Sequence, residues 1–157
     1  MSLTPGLKSA VDLFHKLQRD VKRLDREVTN DHFFNLVITG YSLIDWVKSD
    51  PSLPATARTP ESIAGLHHEP WLKVCGDLAN ASKHFALTTR EPLTKEVTSK
   101  SGWGVGRYAK GAFGEGERDI EVHIHGAPIW SAQEFSVGVL QAWITFFERH
   151  GVPVTSR

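Results

Sequence analysis

The sequence predicts a mainly α fold: a bundle of four to five helices with a β-hairpin inserted before the last helix. Two observations carry this expectation. Apolar residues recur at steps of three and four along several long segments, the signature of helices with one buried stripe. Between about residues 93 and 126 the period switches to two, as in half-buried strands, and the helical period then resumes. A chain of 157 residues, 40% of them hydrophobic, suits one domain with a real core. Residues 1–157 are therefore read as a single helical domain.

The first helix is marked by Leu7, Val11, Phe14, Leu17, Val21, Leu24 and Val28. Thr4 is placed to cap it and Pro5 to occupy its first position. Its outer face carries Lys8, Lys16, Arg19, Lys22, Arg23 and Arg26, the pattern of a solvated face. The second helix starts at a cap of Asn30 or Asp31 and stops at Pro51. Its apolar residues, from Phe33 to Val47, run nearly all the way round, which predicts burial on most sides. Gly40 in its middle would admit close approach by a neighbour. Thr59-Pro60-Glu61 has the form of a further helix start, and Pro70 restarts the chain into a third long helix from about Trp71 to Leu87.

The hairpin follows. Residues 93–100 read as one strand. In residues 118–126, Ile120, Val122 and Ile124 alternate with Glu121, His123 and His125 and mark the other. The six glycines between residues 102 and 117 predict a long, mobile connecting loop. The last helix opens on a capping box of Ser131 and Glu134 and buries Phe135, Val139, Trp143, Phe146 and Phe147. Gly151 ends it, with Pro153 just beyond.

Lysine plus arginine balances aspartate plus glutamate, 18 against 18, so bulk charge exerts no long-range pull on nucleic acid or anionic lipid. No stretch approaches the length of a membrane span, and the N-terminus lacks a signal-peptide core. With one cysteine, Cys75, no intrachain disulfide can form. The expected location is cytoplasmic. The apolar girth of the second helix, with five tryptophans and eight phenylalanines to house, predicts a homodimer.

The stretch DLANASKH, residues 77–84, carries the densest chemistry. On a helical wheel Asp77, Asn80 and His84 form a narrow row with Lys73, nearly opposite the stripe of Trp71, Cys75, Leu78, Ser82 and Phe85. Such a row is the ordinary state of a surface helix. Its weak helix formers, however, include a histidine beside an amide and an acid able to hold an imidazole tautomer. Asp77, Asn80 and His84 are thus the candidate catalytic residues.

The D-x-x-N-x-x-K-H run resembles a family of small bacterial helical proteins and, more distantly, the HEPN superfamily. The features that carry this likeness are a preceding helix of the form TGYSLIDWV, a following Gly-rich hairpin and an aromatic last helix. That resemblance implies a dimeric helical bundle that binds or cleaves RNA in defence or toxin–antitoxin settings. In the family an arginine precedes the histidine by a short spacer, and both engage the scissile phosphate region. Here the corresponding positions hold Ala79, Leu78 and Asp77. The resemblance therefore speaks for fold more than for activity, with Lys73 or Lys83 as substitute cations.

Two further constellations remain. Glu121, His123 and His125 lie at period two on one strand face, the spacing of two imidazole ligands and a carboxylate for a metal. Arg107, Tyr108 and Lys110, flanked by Trp103 and Phe113, mix cations and rings on the hairpin loop, a composition suited to single-stranded nucleic acid. The glycines of residues 104–111 lack the spacing and frame of a phosphate loop. Cys75 lies on its helix's apolar stripe, where a thiol is inert. No cofactor is expected. Three functions follow as expectations: a HEPN-like protein acting on RNA, a non-catalytic interaction or assembly module, and a metal-dependent activity on the His-x-His strand.

Overall fold

The structure, a computed structural model, describes residues 4–83, 92–102 and 117–154. Five α-helices dominate these residues: α1 (Ala10–Arg26), α2 (Asn30–Ser49), α3 (Pro60–His68), α4 (Pro70–Lys83) and α5 (Ala132–Arg149). A 3-10 turn (Ala55–Arg58) leads into α3. Strands β1 (Thr94–Gly102), β2 (Glu117–Ile124) and β3 (Trp130–Ser131) form an antiparallel sheet in that order between α4 and α5. The helical bundle with a hairpin before its last helix is thus present. The hairpin loop, residues 103–116, lies outside the described residues.

The helix ends follow local hydrogen-bonding chemistry, with two departures from expectation. Helix α1 starts at Ser9, not near Thr4. Asp12 N–H donates to Ser9 Oγ at 3.1 Å and Ser9 N–H donates back to Asp12 Oδ2 at 3.0 Å, a reciprocal capping box. Thr4 instead begins a turn, with Leu7 N–H on its carbonyl at 3.1 Å. The first helical amide, that of Ala10, donates to Asp50 Oδ2 at 2.7 Å, so the acid that ends α2 also ties down α1. Helix α2 is capped by Thr29 rather than by Asn30 or Asp31, through its hydroxyl and His32 N–H at 3.0 Å. A hydroxyl one residue earlier reaches the same orphan amides.

At the other end of the chain the expectations hold. Ser131 and Glu134 form the capping box of α5. Beyond α5, Gly151 takes φ +67, and Val152 N–H and Gly151 N–H bond back to Phe147 and Glu148 carbonyls at 2.9 and 3.0 Å. That pair is a Schellman closure, which needs a residue free to adopt positive φ.

A continuous hydrophobic core joins all five helices and the inner face of β2, where Ile120, Val122 and Ile124 are buried. Trp143 lies at its centre, fully buried, and its indole Nε1 donates to the Gly40 carbonyl at 3.1 Å. Gly40 lets α2 come close to its neighbours there. A Cβ would sit 3.1 Å from Val139 Cγ1 and 3.4 Å from Cys75 Sγ. Helix α2 is less completely covered than its sequence predicts, because Phe34 and Ile38, one turn apart, stay 39% and 46% exposed. Strand β3 was not anticipated. Its two residues are too few to show a period, and it pairs Trp130 with Val122.

Among the described residues no helix is long and apolar enough to cross a membrane.

Candidate functional site

The polar row of α4 does not stay intact. Asp77 is 1% exposed, and its Oδ2 accepts from Leu93 N–H at 2.8 Å, Thr94 N–H at 3.0 Å and Thr94 Oγ1 at 3.2 Å. The wheel places Asp77 correctly on the side away from Cys75, but the start of β1 covers that side. The expectation of a solvated row containing Asp77 is therefore corrected: this carboxylate ties the first strand to the helix. Charge-assisted acceptance from two backbone amides is a strong, position-fixing interaction. Ser82, assigned to the apolar stripe, is exposed and bonds back to the Ala79 carbonyl. Asn80 and Lys73 are half-buried. His84 and the side chain of Lys83 lie outside the described residues, as do Arg107, Tyr108 and Lys110.

The strand constellation is broken up as well. Glu121 Oε1 accepts from Lys100 Nζ at 2.8 Å, while its Oε2 lies 3.4 Å from His123 Nε2. Lys100 holds the Glu121 carboxyl below its ordinary range. His123 Nε2 is also 3.3 Å from Thr98 Oγ1. His125 falls beyond the end of β2, exposed, with its backbone N–H on the Leu93 carbonyl. Among the described residues no group of three or more histidine, cysteine, aspartate or glutamate side chains is arranged to hold a metal. Lys100 thus pairs with one oxygen of the Glu121 carboxylate, His123 approaches the other, and His125 lies past the strand end.

A concavity lies elsewhere, between α3 and the start of α4 on one side and α5 on the other. It encloses about 550 Å³, within the usual range of small-molecule sites. Its wall is apolar at Leu66, Trp71, Ala142 and Phe146; Gly65 leaves space there, and Trp71 fills the room beside Gly138. Its polar groups are Glu61, Ser62, Glu69, Gln141, Thr145, Arg149 and His150.

Glu69 is the pivot of this cleft. Its N–H closes α3 on the Gly65 carbonyl at 3.0 Å, and its own carbonyl accepts the Lys73 N–H of α4 at 2.8 Å. Its side-chain Oε2 caps α4 through Leu72 N–H at 3.1 Å. Burial raises its carboxyl above the ordinary range, outweighing the backbone amides that oppose the shift. On the far wall His150 packs at a tilt against Phe146 with ring centroids 4.6 Å apart, and its Nδ1 lies 3.2 Å from Thr56 Oγ1. Burial and the neighbouring Arg149 push His150 below its usual value, favouring neutral imidazole.

Trp71 lines the cleft but has little face to offer it. One side of its indole lies against Gly138, where an added Cβ would fall 2.4 Å from Cδ2. Trp130 packs on it as well, with ring centroids 3.8 Å apart and planes inclined by 31°. Sequence reasoning missed this cleft. A mid-helical glycine such as Gly138 was the available signal, since glycine there costs stability unless a neighbour needs the room.

Another hollow, of about 320 Å³, lies beside α4, lined by Tyr41, His67, His68, Leu72, Lys73 and Gly76. His68 Nδ1 donates to the Ala64 carbonyl at 2.7 Å. Neither a family model, nor a curated protein, nor a solved structure matches the chain.

Proposed function

We propose that this protein is a ligand-binding helical domain whose binding site is the cleft between α3, α4 and α5. The observation that carries the reading is Glu69: a half-buried carboxylate, fixed by the helix junction it caps, opening into about 550 Å³ of mixed apolar and polar space. Perturbed acids in preformed clefts are where binding and proton chemistry concentrate. The test is a fragment screen read by amide chemical shifts on the intact chain, repeated on Gly65→Trp. A Cβ at Gly65 meets nothing within 4 Å, so a large side chain there fills the cleft without disturbing the core. Hits that move Gly65, Glu69 and Gln141 and disappear in Gly65→Trp support the site. Hits that ignore the substitution refute it.

The second reading is the HEPN-like one, RNA binding along α4. It is favoured by the hollow beside α4, where Lys73, two histidines and Tyr41 meet with no carboxylate in the lining. Lys73→Ala should then weaken binding of a single-stranded RNA and reduce its salt dependence by about one counterion. An unchanged affinity and salt slope would remove Lys73 from that surface. Homodimer formation belongs to the same proposal, since Phe34 and Ile38 leave apolar surface open on α2. Sedimentation as monomer alone at tens of micromolar would remove it.

A further inference from the structure

We infer that the cleft selects a small organic cation, with its ammonium or guanidinium head against Glu69 and an apolar body along Leu66, Ala142 and Phe146. This rests on the cleft being the binding site, and it adds the charge and shape of the ligand.

The first support is a missing counter-charge. The other acids withdrawn from solvent are compensated. Asp20 receives Lys16 Nζ at 2.6 Å, Arg23 Nη1 at 3.1 Å and the Thr39 hydroxyl at 2.8 Å. Asp50 accepts from Ala10 N–H, Ser52 N–H and the Ser52 hydroxyl, with Arg58 close enough to lower it further. Asp77 holds the start of β1. Glu69 enters none of the ion pairs of the described residues; its carboxylate meets only backbone amides at the start of α4, those of Leu72 and Trp71. Charges removed from water are normally paired, and a ligand's cationic head would supply the partner. The raised carboxyl of Glu69 agrees, since burial there is only partly offset.

The rest of the lining points the same way. Glu61, in the first turn of α3, adds a second carboxylate to the Glu69 wall. Arg149 faces the cleft from the last turn of α5; it is exposed, as Glu61 is, so solvent and salt screen both beyond about 8 Å and the two offset each other, leaving Glu69 as the more withdrawn charge. His150 is held toward its neutral form and so does not repel a cation. The apolar wall suits one small ring or chain laid against it, not a ring sandwiched between two others. Trp71 already packs against Gly138 and Trp130, and Phe146 already carries His150.

Three probes of one shape and different charge test this: benzylamine, benzyl alcohol and benzoate, titrated into the intact chain at neutral pH and followed by amide shifts. Benzylamine should bind about threefold or more tighter than benzyl alcohol, the scale of a partly exposed charge pair, and benzoate most weakly. Glu69→Gln should erase that order, and the amide oxygen can still accept Leu72 N–H and keep the helix junction. Lowering the pH through the Glu69 titration should erase it in the unmodified chain, which keeps the test independent of the variant's stability. Glu61→Gln should shrink the preference without abolishing it. Equal binding of all three probes in the cleft overturns the cation inference and leaves the cleft standing. Shifts that avoid the cleft for every probe overturn the cleft itself.

Discussion

Two glycine-to-alanine substitutions on opposite walls of the cleft should have opposite signs. Gly65 and Gly138 are both mid-helical, so each alanine gains about 0.5–1 kcal/mol of helix propensity. At Gly65 nothing lies within 4 Å of the added Cβ, and the gain is kept. At Gly138 the new methyl would fall 2.4–2.5 Å from three atoms of the Trp71 ring, against an ordinary contact of about 3.5–4 Å. The indole must therefore retreat by about 1 Å or more, yet Trp130 packs on it with centroids 3.8 Å apart. Overpacking of this kind costs about 1–3 kcal/mol or more. After the propensity gain, Gly138→Ala should lose about 1–2 kcal/mol. In a domain of this size 1 kcal/mol moves Tm by about 2–4 °C. Thermal denaturation should thus show Gly65→Ala raised by about 1–4 °C and Gly138→Ala lowered by about 2–8 °C, with altered tryptophan fluorescence in the latter alone. A Gly138→Ala protein that melts higher than the parent would refute the account of Trp71 packing.

Asp77→Ala should cost about 2–4 kcal/mol in denaturant titration, because it strands the amides of Leu93 and Thr94. A loss under 0.5 kcal/mol would mean that the carboxylate is not a structural clamp. Cys75 is fully buried and its thiol is pushed up by that burial, so a thiol reagent should react at the unfolding rate and not before; fast reaction of the native protein would contradict the packing around Gly40. Glu69 carries a pH signature. Its folded carboxyl titrates above the ordinary value of 4.5, so the fold binds that proton more tightly than the unfolded chain does, and its contribution is lost as pH rises through the folded titration. The stability of Glu69→Gln relative to the parent should therefore increase from acid to neutral pH, and a difference that stays flat would show that the group is solvated.

Much of the architecture was legible because it is written in local terms. The capping box at Ser131 and Glu134, the stop at Pro51, the start at Thr59-Pro60 and the closing Gly151 each depend on residues within a turn of one another. The alternation of Ile120, Val122 and Ile124 carried the hairpin. The misplaced start of α1 is instructive, since Thr4-Pro5 and Ser9–Asp12 both have the form of a helix start, and the reciprocal pair won by satisfying two amides rather than one. Strand β3 left no signal because two residues have no period.

The site was much less legible, and the reason is geometric. A wheel assigns each residue a direction from its own helix axis and says nothing about what approaches from that side. Asp77 points where the wheel put it, yet Leu93 and Thr94 arrive there from sixteen and seventeen residues away, turning an apparent surface acid into a buried clamp. The same blindness hid the cleft. Glu69 before Pro70 reads only as the end of one helix and the start of the next, and Gly138 only as a weak point in α5. Their joint meaning depends on α3, α4 and α5 converging. Residues whose local cost is unexplained, such as a glycine inside a helix or an acid at a helix junction, are then the better guides to a site than residues whose chemistry is conspicuous.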